Sequence, residues 1–196
     1  DRFRHVVRRG HEWTGPDAGY AVHGEVAGLA PGREYFYRFR HGRHVSPAGR
    51  TRTAPAAAVV GAGLTMCFAS CSQFEHGFFT AYRRLAEDEP DVVLHLGDYL
   101  YEYRRDSYVS PDGNVRDHRG PETETLANYR QRYAQYRTDA DLRAAHAAAP
   151  WLVVPDDHEV DNNWAADVPE KPHRPQPDFL ERRANAFRAY YENMPL

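Results

Sequence analysis

Three things are scarce in this sequence of 196 residues: there are two cysteines, one lysine among 25 basic residues, and no long apolar run. Each scarcity excludes something. Two cysteines cannot build a disulfide framework. On one extended strand Cys67 and Cys71 would stand roughly 13 Å apart, beyond the ~7 Å Cα limit of a disulfide, so two free thiols are expected. No stretch approaches the ~20 consecutive apolar residues that cross a bilayer, so no transmembrane segment is expected. The longest apolar-rich run, Ala54 to Leu64, is broken by Pro55, Gly61 and Gly63 and reads as a linker. A net charge of −3 excludes a protein built around the phosphate backbone of nucleic acid, which calls for a basic face. An initiator methionine and a charged-then-apolar leader are also lacking, which reads as a removed targeting segment or a chain that begins mid-protein. What remains, 41% hydrophobic and 27% charged, is the balance of a soluble globular chain of one or two domains.

Two territories follow each other. From Tyr20 to Thr53 the pattern has period two with turn punctuation. Tyr20 to Val26 reads as a strand, Gly28 to Gly32 as a turn, Glu34 to Arg40 as a strand, His41-Gly42-Arg43 as a hairpin turn and Gly49 to Thr53 as a last strand. Leu29-x-Pro31-Gly32-x-x-Tyr35, followed by alternating aromatics, resembles the corner of fibronectin type III and immunoglobulin-like sandwiches, where a tyrosine hydroxyl bonds back to the turn. Residues 1–55 are therefore expected to be part of such a β-sandwich, 56–63 a linker, and 64–196 a second unit.

In that second unit the rhythm becomes strand, helix, strand. Leu64 to Ala69, Asp91 to Leu96 and Trp151 to Val154 read as strands. The second is apolar nearly throughout, as for a parallel strand covered on both faces. Helices are expected from Phe78 to a stop at Pro90, along Leu126, Tyr129, Tyr133 and Tyr136, from a Thr138-Asp139 cap to Ala149, and from Asp178 to Asn193. The stretch Pro169 to Pro177 reads as an irregular loop. Such alternation predicts a mainly parallel sheet with right-handed crossovers, an α/β fold.

The chemistry follows the strands. Ser70-Cys71-Ser72-Gln73 comes after the first, Gly97-Asp98-Tyr99-Leu100-Tyr101-Glu102 after the second, and Pro155-Asp156-Asp157-His158-Glu159 after the third. Ligands of open α/β sheets bind outside the carboxyl ends of the strands, so a thiol, carboxylates, a phenol and an imidazole should converge on one edge. Crowded carboxylate, thiolate and phenolate repel one another unless cations neutralise them. Hard oxygen donors with one sulfur and one phenolate suit a trivalent iron beside a divalent, oxygen-loving metal better than a thiol-rich zinc site. A two-metal centre holds a phosphoryl oxygen and a nucleophile in line, which makes hydrolysis of a phosphate ester the natural reaction.

Gly97-Asp98-x-x-Tyr101 resembles the GDxxY block of purple acid phosphatases, and Asp156-Asp157-His158-Glu159 a variant of the Gly-Asn-His-Glu block of calcineurin-like metallophosphoesterases. Taken with Phe68-Ala69-Ser70-Cys71 and Val160-x-Asn162-Asn163-Trp164, they resemble the PhoD-type alkaline phosphatases, which carry an immunoglobulin-like domain ahead of a metallophosphoesterase sandwich. That resemblance implies Fe3+ and Ca2+ as metals, with Cys71 and Tyr101 as iron ligands and Asp98 as the bridging carboxylate. Asp157 would be a second-metal ligand and Asn162 a metal or substrate contact. His158 would contact the phosphate or protonate the leaving oxygen. It further implies a phosphate-ester substrate, a monomeric parent and an extracellular or cell-envelope location. Pro155 departs from the pattern, which commonly has an aromatic residue before the two aspartates.

Two other readings stay open: a phosphodiesterase or phospholipase D-type hydrolase on the same metal core, and a catalytically silent piece serving as a binding module. No later block supplies the remaining ligands of such a centre. The sequence thus reads as an incomplete fragment, expected to be inactive alone, to hold metal weakly and to aggregate. Of the other histidines, His5, His11, His23, His41 and His44 read as surface residues, and His76, His118, His146 and His173 as loop or helix-face positions. His95 reads as a hydrogen-bonded core group, and the tyrosine stripe 129, 133, 136 as helix packing.

Overall fold

The computed structural model describes residues 3–57, 59, 61, 63–173 and 178–196. Positions 1 and 2 of the expected β unit, 58, 60 and 62 of the linker, and 174–177 of the proline-studded loop lie outside the described residues.

The N-terminal part is built on hairpins. Strand β1 (Glu34–Tyr37) pairs antiparallel with β4 (Gly49–Arg52), from Glu34 opposite Arg52 to Tyr37 opposite Gly49. Between them β2 (Arg40–His41) and β3 (His44–Val45) make the expected small hairpin, closed by Gly42 at φ 57°, a left-handed value that glycine adopts without steric cost. The Tyr35 hydroxyl accepts from the Ala30 N–H at 2.9 Å, so the tyrosine does bond back to the preceding turn. The strand expected over Tyr20 to Val26 does not form. Tyr20 is left-handed at the end of a short turn, and no neighbouring strand among the described residues offers this segment a hydrogen-bonding partner.

Further along, strands and helices alternate as β5 (Met66–Ala69), α1 (Thr80–Glu87), β6 (Val92–His95), α2 (Leu126–Tyr136), α3 (Ala140–Ala148), β7 (Trp151–Val153) and α4 (Phe179–Asn193). Three of the helices open on side-chain caps: Thr125 with Asn128 on α2, Asp139 on α3 and Asp178 on α4. The three strands form a parallel sheet in the order β5-β6-β7, with Phe68, Leu94 and Leu152 in register. Arg50 on β4 donates to the carbonyls of Pro90 and Ala148, both at 3.0 Å, and fastens the hairpin part to this unit.

The core lies on one side of the sheet. Val93 and Trp151, flanked by Cys67, Ala69 and Val153, meet Tyr82 and Leu85 of α1, Leu142 and Ala145 of α3 and the fully buried Tyr129, Tyr133 and Tyr136 of α2. Burying each large side chain of this kind contributes ~1.5–3 kcal/mol. The other side corrects the expectation that both faces are covered. Met66, Leu96, Leu152 and Val154 are exposed, and Phe68 is 75% exposed. A strand apolar on both faces reads alike in sequence whether one helical layer or two cover it; the described residues supply one. Among them no helix is long and apolar enough to cross a membrane. Both cysteines are free thiols.

Candidate metal centre

The three strand exits are joined to one another before any side chain is considered. Beyond the ladder, the Cys71 N–H donates to the Gly97 carbonyl (3.2 Å) and the Ser72 N–H to the Asp98 carbonyl (2.8 Å). This zipper is possible because Cys71, Gly97 and Asp98 have φ values of 57°, 102° and 54°, turning the chain sharply at the end of each strand. Gly97 has a second reason to lack a side chain. A Cβ there would stand 2.4 Å from the Asp156 Cβ and 2.7 Å from its backbone nitrogen. The third exit therefore packs directly against the second.

Glu159 completes the junction. Its buried carboxylate accepts the N–H groups of Asp156 (2.7 Å), Asp98 (3.1 Å) and Tyr99, tying exits that are some sixty residues apart in sequence. Burial pushes its carboxyl up to about 7, against the N–H donors that favour the ionised form.

On this scaffold the side chains converge. One Asp98 oxygen, Oδ2, accepts both the Cys71 thiol (3.5 Å) and the Tyr101 hydroxyl (3.3 Å), while Oδ1 faces the His158 N–H at 3.4 Å. Ligand atoms of Asp98, Asp157 and His158 all lie within 4.8 Å of one another. The Tyr101 ring lies over the His158 imidazole with centroids 4.0 Å apart. Asn162 is differently placed. Its N–H donates to Glu102 (3.0 Å) and its amide to Glu170 (2.7 Å), so its side chain is engaged beside the cluster.

Glu102 is a residue to which sequence reasoning gave no role. Fully buried, it meets His158 Nδ1 at 2.8 Å through one oxygen and takes the Asn162 N–H on the other. This bond orients the imidazole and leaves Nε2 as the nitrogen free of it. Burial pulls the His158 pKa down, but Glu102, with Asp98 and Asp157 nearby, outweighs it, and the net shift is upward. Glu159 likewise stands in its motif with no role legible from sequence. The only local signal for either is a carboxylate inside a strand-exit motif.

The electrostatics make this a place for a cation. Burial raises the Asp98 pKa, and the charges of Asp157 and Asp156 add to it. Burial, with Asp98 beside it, holds the Tyr101 phenol far above its ordinary range. Two protons, from the thiol and the phenol, thus point at one carboxylate oxygen where like charges would otherwise meet. A hard cation replacing those protons would find oxygen donors, one sulfur and one imidazole already gathered, so the donor set fits a metal.

Residues 66–196 match the family model described as PhoD-like phosphatase, and residues 1–55 that described as PhoD-like phosphatase, N-terminal domain. Alkaline phosphatase D of Bacillus subtilis (strain 168) is 51% identical over 196 residues, covering 100% of this chain and 33% of that protein. A solved structure titled "Structure of PhoD" superposes with a TM-score of 0.95 at 52% identity, covering 99% of this chain and 37% of that one. The chain spans about a third of the length of these relatives. Since one family accounts both for the part that carries the cluster and for the hairpins before it, the chain belongs to the PhoD-like phosphatase family.

Proposed function

We propose that this chain supplies the strand-exit half of the metal centre of a phosphate-ester hydrolase of the alkaline phosphatase D type. The observation that carries the reading is the convergence of the Cys71 thiol and the Tyr101 hydroxyl on one oxygen of Asp98, with Asp157 and His158 alongside. In this reading Cys71 and Tyr101, with Asp98, would hold Fe3+, and Asp157, with Asn162 beside it, would serve Ca2+ or another divalent ion. When bound, such a metal pair supplies an activated water at neutral pH and positive charge against the phosphoryl oxygens.

The chain's own groups do the rest. Glu102 fixes the His158 ring by its Nδ1, so that Nε2 meets the phosphate or hands a proton to the leaving oxygen. The upward shift of His158 favours the protonated form that this transfer needs. The Tyr101 ring covers one face of the imidazole and limits its rotation. The zipper between exits holds the thiol at its place in the cluster.

Several finer assignments belong to the same proposal. The parallel sheet with its one helical layer is read as part of a metallophosphoesterase sandwich, and residues 1–55, with the Tyr35 corner, as part of an immunoglobulin-like domain joined through 56–63. An extracellular or cell-envelope location and a monomeric parent follow from the kinship alone.

The test uses the full-length protein. Metal analysis should find iron, and a visible charge-transfer band should shift or bleach in Tyr101→Phe, while Asp98→Ala should lose both metal and turnover. A colourless, iron-free and fully active protein overturns the iron assignment, and an active Asp98→Ala variant overturns the site. Parallel assays on a phosphomonoester and a phosphodiester separate the phosphatase from the phosphodiesterase or phospholipase reading.

A further inference from the structure

Helix α2 presents more than packing to the site. Tyr136, fully buried, accepts the Phe74 N–H at 3.2 Å and the Tyr101 N–H at 3.1 Å on its hydroxyl oxygen. Its third bonding position faces His118 Nε2 at 3.3 Å. Burial, aided by the Arg132 charge, pushes His118 down to about 3, so the ring is neutral and able to accept the hydroxyl proton. A hydroxyl has two acceptor sites and one proton, and here all three are used. Phe74 follows the β5 exit by three residues from Cys71, and Tyr101 is itself in the β6 exit.

The rest of the same helix face acts alike. Arg132, one turn back, donates to the Tyr101 carbonyl, so both backbone groups of Tyr101 are held by α2. Tyr129, a further turn back, donates to the Val160 carbonyl at 2.5 Å, beyond the β7 exit. Positions 129, 132 and 136 share one helix face, and each bonds backbone in or just after a strand exit. Tyr133, equally buried between them, has no hydrogen-bond partner for its hydroxyl among the described residues.

We propose that Tyr136 is a positioning residue, whose hydroxyl joins the β5 and β6 exits into one unit and so sets Cys71 against Tyr101. The Tyr136 ring is packed between Phe74 (5.3 Å) and Phe79 (5.8 Å), contacts that phenylalanine keeps. Tyr136→Phe therefore removes this tie between the exits, together with the bond to His118, and leaves the ring packing and the backbone zipper in place, and Tyr133→Phe is a matched control that removes a buried hydroxyl joining nothing.

The experiment uses the full-length protein and reads amide hydrogen exchange at Phe74 and Tyr101, with steady-state kinetics beside it. In the unmodified protein the two amides should exchange within tenfold of each other after correction for intrinsic rates, because one group protects both; a wider gap overturns the proposal. This measurement stands even where Tyr136→Phe fails to fold. In folded Tyr136→Phe both amides should exchange at least tenfold faster. The kinetic arm rests on the function proposed above: kcat should fall about 10- to 100-fold with KM within about twofold, the scale of a small misplacement of reacting groups. Tyr133→Phe should match the unmodified protein in every readout. Unchanged exchange in Tyr136→Phe, or equal losses in Tyr133→Phe, overturns the proposal. An unmodified protein without phosphatase activity would sink the function while the exchange arms still decide the junction.

Discussion

Acid should weaken this fold in a way that can be traced to His95. The ring lies under the sheet, 1% exposed, with Nε2 at 3.0 Å from the Tyr82 hydroxyl and 3.4 Å from that of Ser72, and stacked on Trp151. Burial pushes its pKa from 6.5 down to about 4. Between those values the unfolded chain takes up a proton that the folded one refuses. Stability is therefore full above about pH 6.5, falls as the pH drops, and this share is gone below about pH 4. A difference of one in pKa between the unfolded and folded chain corresponds to ~1.4 kcal/mol, so His95 accounts for about 3 kcal/mol across the window, a slope near 1.2 kcal/mol per pH unit in its middle. His118, held down to about 3, adds a similar slope. His95→Gln keeps an amide for the Tyr82 hydroxyl but does not titrate. Urea unfolding of both proteins at several values between about pH 7.5 and 4.5 should give a variant whose stability declines less steeply, by roughly 1 kcal/mol per pH unit below pH 6. Parallel stability curves would refute the assignment of this acid sensitivity to His95.

Gly97→Ala places a Cβ against the Asp156 backbone at a left-handed φ. It should cost about 2 kcal/mol or more and displace the third exit, so a variant with unreduced metal content by elemental analysis would contradict the packing described. Asp139→Ala removes both the α3 cap, made to Asp141 and Leu142, and the 2.7 Å partner of a largely buried Arg116. A loss of about 2–4 kcal/mol in denaturant unfolding is expected, and Asp139→Asn, which keeps the cap, should recover about 1 kcal/mol of it.

The elements legible in the sequence were those whose cause is local. The stripe of α2, the Asp139 and Asp178 caps and the halt of α1 before Pro90 all depend on residues a few positions apart, and the structure places them where the pattern does. The segment from Tyr20 to Val26 shows the limit, since alternation makes a strand only when a neighbour supplies the ladder. The same holds for histidines. His146 reads as a helix-face residue, yet it stacks on Trp151 at 3.8 Å and meets the Tyr99 hydroxyl at 3.0 Å. His118, which reads as a loop position, is buried against Phe74 and Tyr136. The convergence of Cys71, Asp98, Tyr101, Asp157 and His158 was legible because each lies in the segment that leaves a strand. Glu102 and Glu159 were not, because what they do is accept from backbone some sixty residues away.

The left-handed turns at the ends of β5 and β6 bear on how this sequence is able to drift. If Cys71 and Asp98 serve the metal as proposed above, they are screened twice, once for the donor atom and once for a backbone at φ near +55° that costs most L-residues roughly 1–2 kcal/mol. Aspartate passes both screens, since it and asparagine visit this region far more readily than other side chains. Cysteine passes only the first, so nothing in the backbone favours a thiol at position 71. Replacements that tolerate the turn, such as asparagine or glycine, lack the sulfur, and a β-branched residue fails on both counts. Asparagine and glycine should thus enter position 71 in lineages that have lost the chemistry but kept the fold, which makes that position a marker of loss of function within a retained scaffold.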